Sequence, residues 1–102
     1  MAKYQFQREC RTAYSEAYLI SVNDEQMGRV DLHFTPSIVY ATLCVGENTA
    51  NEEVQELIDV IDEELVLSSD VARDDFLVTV YQGREAGVFS DEEFGEDGEN
   101  SN

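Results

Sequence analysis

The apolar positions of this chain change period along its length, and each change marks an element. Over Gly28–Thr35 the side chains alternate, with Val30, Leu32 and Phe34 on one side and Arg29, Asp31 and His33 on the other. Period two marks a strand with one buried face. Thr35-Pro36-Ser37 reads as a short turn, because proline pre-sets its own backbone angle. Ile38–Val45 is almost wholly apolar, the composition of a strand covered on both faces. Tyr18–Val22 is an earlier strand, with Asn23-Asp24-Glu25-Gln26 as the loop that follows it. Phe76–Tyr81 alternates again, Phe76, Val78 and Val80 against Leu77, Thr79 and Tyr81, and Gly83 stops it. Arg84–Phe89 reads as a short return strand. Residues 3–10 read as an edge strand on the alternation of Tyr4 and Phe6, although Cys10, Ala13, Tyr14, Ala17 and Tyr18 also fit helical spacing.

Between these strands the period becomes helical. Val54, Leu57, Ile58, Ile61 and Leu65 recur at spacings of three and four, so the pattern predicts a helix over 50–66 with one apolar stripe. Thr49-Ala50-Asn51-Glu52 has the form of a capping box, and Ser68-Ser69-Asp70 reads as the exit. The remaining face is acidic: Glu52, Glu53, Glu56, Asp59, Asp62, Glu63 and Glu64, with no basic residue among them. Like charges at these spacings repel by about 0.2–0.5 kcal/mol per pair. Each buried apolar side chain contributes about 1.5–3 kcal/mol. The helix is therefore expected to form because it packs.

The predicted order is β-β-β-β-α-β. This is an α+β domain: an antiparallel sheet of four to five strands with one amphipathic helix packed on one face. The helix joins Ile38–Val45 to Phe76–Tyr81, and the pattern leaves the direction of that last strand open. Residues 1–89 are expected to form the single domain. Residues 90–102 carry six acids and one hydrophobe, and are expected to be a disordered acidic C-terminal tail.

Charge changes the picture of what the domain meets. The 102 residues hold 23 acids against six Lys and Arg, a net charge of −17, and the only lysine is Lys3. Such a surface repels phosphate backbones and attracts basic proteins or cations, so direct nucleic-acid binding is not expected. No apolar run reaches the roughly 18 residues of a membrane span, and the first residues lack a basic-then-apolar leader, so a cytoplasmic protein without a membrane partner is expected. Two cysteines, Cys10 and Cys44, are too few for a disulfide framework and suit a reducing compartment.

If Val39, Ala41, Leu43, Val45, Phe76, Val78 and Val80 face the helix, the other sheet face carries Ile38, Tyr40, Leu77 and Tyr81 beside Arg29 and His33. The candidate partner-binding residues are thus Tyr40, Leu77, Tyr81 and His33 on the sheet, and Glu52, Glu53, Glu56, Asp59, Asp62 and Glu63 on the helix. The acids do not fall in the register of a calcium-binding EF-hand loop, and no metal or cofactor is expected. The sequence has no nucleophile elbow, zinc-protease helix, phosphate loop or Cys-x-x-Cys pair. His33 becomes a general base only if folding brings Cys10 or Cys44 beside it. The expected function is therefore a small acidic, non-catalytic protein-protein interaction domain of adaptor, regulatory or chaperone-like type. Its expected partner is a basic or mixed-charge protein, with a homodimer through the sheet face as another option. A DNA-mimic inhibitor of a DNA-binding protein is the alternative, and an unidentified enzyme the third reading.

Overall fold

A computed structural model describes residues 3–67 and 75–91. The elements follow the predicted order: β1 (Gln5–Arg11), β2 (Ser15–Val22), β3 (Glu25–Phe34), β4 (Ile38–Val45), α1 (Asn51–Ile61) and β5 (Asp75–Gln82). They form one five-stranded sheet in the spatial order β1-β2-β3-β4-β5. The first four strands pair antiparallel with their neighbours, but β5 runs parallel to β4. The sheet is therefore mixed: the expected antiparallel pairing holds for the first four strands, and the last, whose direction the pattern leaves open, is parallel. The segment from Val45 to Asp75 is long enough to return the chain to the starting end of β4, where a hairpin cannot.

Short turns set the register. The β2–β3 connection is only Asn23 and Asp24, both in the left-handed region at φ 55° and 68°. That is the turn whose twist suits adjoining antiparallel strands, and Asn and Asp tolerate it best after glycine. Glu25 and Gln26, expected in the loop, therefore belong to β3. Between β3 and β4, the Thr35 hydroxyl donates to the Ile38 carbonyl at 2.6 Å and accepts from the Ile38 amide at 3.0 Å, closing the turn over Pro36 and Ser37. The register of β2 against β3 shifts between Ile20 and Ser21, opposite Gly28 and Gln26. Gly28 lies against the next strand as well: a Cβ there would fall inside the Cys44 carbonyl oxygen. A glycine is required by that approach of two backbones.

The apolar sides meet as predicted. Val39, Ala41, Leu43 and Val45 of β4, with Tyr18, Ile20, Val30 and Leu32, are buried against Val54, Leu57 and Ile61 of α1. Tyr4 closes the same core, and Phe6 packs edge-on to Tyr18 at 6.4 Å. After Ile61 the helix widens into a π turn over Asp62–Val66. A π turn takes one more residue per turn, so the inward position after Ile61 is Val66 and not Leu65. Val66 is fully buried and Leu65 only half so.

Two further expectations change. The helix N-cap is Ala50, without a side-chain cap, so the capping box does not form. Thr49 is held instead in the preceding turn: its amide donates to the Gly46 carbonyl at 3.1 Å, and its own carbonyl accepts from the Gln82 side chain at 3.0 Å. Arg84–Phe89 forms no strand. Most of the predicted acidic tail, from residue 92 on, and the predicted helix exit at 68–70 lie outside the described residues.

Two measurements check this account. Gly28→Ala forces β3 and β4 apart, and is expected to lower stability by about 1–3 kcal/mol in a urea melt; an unchanged midpoint would refute the close approach. The Tyr4 and Tyr18 phenols are both pushed above their ordinary range, chiefly by burial. The folded state thus holds those protons more tightly than the unfolded chain. That contribution is complete below the unfolded tyrosine value of about 10 and is lost as pH rises through the folded one. A Tyr4→Phe/Tyr18→Phe double variant is expected to lose less stability than the parent between about pH 9 and 11. Equal losses would show that the phenols do not carry the alkaline limb.

Candidate protein-binding surfaces

The strand register sorts the uncovered face into rows. Ser15, His33, Tyr40 and Leu77 stand opposite one another across β2 to β5. Ala17, Asp31, Thr42 and Thr79 form the next row on that face, and Leu19, Arg29, Cys44 and Tyr81 the one after it. Tyr40 and Leu77 are each 44% exposed and Tyr81 is 59% exposed, whereas the partnering positions Val39 and Leu43 on the other side are fully buried. The sheet therefore presents the predicted face to solvent, and β1 lies beside β2 instead of folding across it.

The four predicted sheet residues do not form one patch. His33, Tyr40 and Leu77 are immediate neighbours, but Tyr81 lies four positions further along β5, roughly 13 Å away. The row between them is polar. From the Tyr81 row, Arg29 reaches two carboxylates, donating to Asp31 of that polar row at 2.9 Å and pairing with Glu9 at 3.3 Å. The hydrogen bond to Asp31 keeps the guanidinium above its ordinary range. Beyond Gly83 the chain returns beside Met27, Gly28 and Arg29, walling a groove of about 720 Å³ with Cys44 and Tyr81 at that end of the sheet. The groove was not legible beforehand, because Arg84–Phe89 reads as a return strand and instead runs there as irregular chain.

The helix acids also divide. Glu52, Glu56, Asp59 and Glu63 are exposed, and their spacing of four, three and four puts them in a single stripe. Glu53 and Asp62 are half-buried and stand off that stripe. Sequence reasoning missed Lys3: its Nζ lies 3.7 Å from Glu53 and 3.6 Å from Glu56, and 5.2 Å from the centre of the Tyr4 ring. Its proton is held above the usual range by Tyr4 first, and then by Glu56 and Glu53 against the cost of desolvation. The signal was available, because Lys3 is the only lysine in the chain and sits one residue before the buried Tyr4.

His33 is not placed beside either cysteine. Cys10 stands opposite Ala17 and Cys44 opposite Arg29, and both thiols are free. Among the described residues no three His, Cys, Asp or Glu side chains gather as a metal site would require. No described helix is long and apolar enough to cross a membrane. Compared with models of protein families, with curated proteins and with solved structures, the chain matches none.

The stripe makes a prediction about stability. Asp59 and Glu63 repel each other, and Asp59 also neighbours Glu56 and Asp62. An Asp59→Asn/Glu63→Gln variant is expected to be more stable by roughly 0.5–1 kcal/mol at low ionic strength. The gain should fade toward about 1 M salt, where the Debye length is near 3 Å. A variant no more stable than the parent at low salt would show that the stripe is not self-repelling.

Proposed function

We propose that this chain is a non-catalytic binding domain for a protein with a basic surface, with the open sheet face as its contact and the helix carboxylates as its attracting field. The observation that supports this best is the exposed row His33–Tyr40–Leu77 on a sheet whose other side buries Val39, Ala41 and Leu43 of β4. Exposed tyrosine and leucine side chains on a rigid sheet give large contact area with little ordering cost, as anchors of protein interfaces do. Next to them, Glu9, Arg29 and Asp31 form a polar cluster with one cation between two anions, which suits a rim that meets positive charge. The stripe Glu52, Glu56, Asp59 and Glu63 lies on the far side of the sheet, so its part is to accelerate approach and not to touch the same flat surface. The two free thiols fit a reducing compartment such as the cytoplasm.

DNA mimicry is the second reading, favoured by four carboxylates on one stiff helix. Their density counts against it. From Glu52 to Glu63 the helix rises about 16 Å for four charges, whereas a duplex presents one charge per roughly 1.7 Å of axis.

Immobilised full chain tests the two readings together. Basic proteins retained from lysate at low salt are expected to be lost on Tyr40→Ser/Leu77→Ser. Asp59→Asn/Glu63→Gln should slow association and leave dissociation alone. Retention that ignores the sheet variant but is released by added duplex DNA would replace the first reading with mimicry.

A further inference from the structure

The two edges of the sheet are written differently. The β1 edge carries Arg8, Glu9 and Arg11 and is broken by a register shift between Arg8 and Cys10. Charges and bulges are the usual means by which an edge strand is kept from pairing with another chain. Past its first residue, Asp75, the β5 edge has neither. Among the described residues it pairs only with β4, over eight consecutive positions without a shift. Only two runs of eight or more residues in the sequence lack a charged side chain, 32–46 and 76–83. The first includes the whole of β4, an interior strand; the second is the body of β5, an edge strand.

Burial shows the same mismatch. On the core side of β4, Val39, Ala41, Leu43 and Val45 are all buried, but their neighbours Phe76, Val78 and Val80 on β5 are only half-buried. On the other side Leu77 and Tyr81 are exposed. After Asp75 the strand is uncharged on both faces, as interior strands are, and incompletely covered on both.

We infer that β5 pairs antiparallel with β5 of a second copy, joining two five-stranded sheets into one of ten strands about a two-fold axis at Thr79. Charge selects this occupant. Two chains of net charge −17 approach with least repulsion along a strip without carboxylates, and 76–83 is such a strip. A basic partner would gain nothing from the run 76–83, which offers it no anion. The direction follows from the strand ends, Asp75 before the uncharged run and Arg84 after it. A parallel arrangement sets Asp75 beside Asp75, whereas an antiparallel one brings Asp75 of each copy toward Arg84 of the other. Centred on Thr79, the pairing sets Leu77 opposite Tyr81 on the open face and Val78 opposite Val80 on the core side, both favourable cross-strand pairs. Main-chain hydrogen bonds supply the affinity, as in other strand additions. This inference is independent of the binding role proposed above.

Sedimentation of the full chain tests it. A dimer is expected, tighter at about 1 M salt than at low salt because screening weakens the repulsion between the copies. Thr79→Glu places two carboxylates face to face on the axis, and is expected to weaken the dimer roughly tenfold or more with an unchanged circular dichroism spectrum. In a Cys10→Ser/Cys44→Ala background, Thr79→Cys should form a disulfide-linked dimer with oxidised glutathione. Tyr81→Cys, about 13 Å from its counterpart in that register, should not. The crosslink decides the matter if Thr79→Glu fails to fold. A monomer at both salt concentrations, or a dimer in which Thr79→Cys does not crosslink, overturns the inference.

Discussion

One apolar seam holds this molecule against its own charge. Val54, Leu57, Ile61 and Val66 lie on the sheet over Val39, Ala41, Leu43 and Val45, and all eight are buried. Nothing else described ties the helix down as strongly. Lys3 reaches only Glu53 and Glu56, at distances beyond 3.5 Å and from an exposed position, where an ion pair contributes little. The helix ends in three consecutive acids at the terminus where the helix dipole opposes them. Burying a single leucine contributes about 1.5–3 kcal/mol, several times the cost of one like-charge neighbour at about 0.2–0.5 kcal/mol. The seam therefore wins residue by residue, and the carboxylates are left to point outward.

The seam also decides which side of the sheet is open. One helix covers one face, so the alternation that buries Val39 and Leu43 must expose Tyr40 and send Thr42 and Cys44 to the same side. A slip of one residue in β4 would bury the tyrosine and expose the valine. The short turns that prevent such a slip, Asn23-Asp24 and the Thr35 clasp, thus set from a distance which residues the open face presents.

Much of this was legible because strands of period two and a helix of period 3.6 leave different marks. The alternation at Val30–Phe34 and Phe76–Tyr81 fixed both the strands and their faces. What was not legible depended on tertiary contacts. Thr49 fits a capping box in isolation, but the Gln82 side chain reaches its carbonyl from 33 positions away and the helix starts later. Leu65 fits the helical stripe until the π turn advances the phase to Val66. The direction of β5 leaves no trace in its pattern, since a strand alternates identically whether it runs parallel or antiparallel. The candidate surfaces were read at the level of faces but not of neighbours: register separates Tyr81 from Tyr40, and only a folded β1 brings Lys3 to the helix.

The distribution of charge gives these separate observations a common cause. Carboxylates crowd the helix, where Glu52, Glu56, Asp59, Glu63 and Glu64 are exposed and add to the field around the molecule. They are missing from β4, where a buried charge would need a partner the core does not hold. They are missing from β5 after Asp75 as well, although its side chains are at most half-covered and solvation alone would permit them. Burial within the chain explains the first absence but not the second. A net charge of −17 raises the cost of every contact between molecules except where the surface is neutral, so the neutral strand is where contact is least opposed. The acidity that keeps the rest of the surface apart thereby singles out one edge of the sheet for close approach.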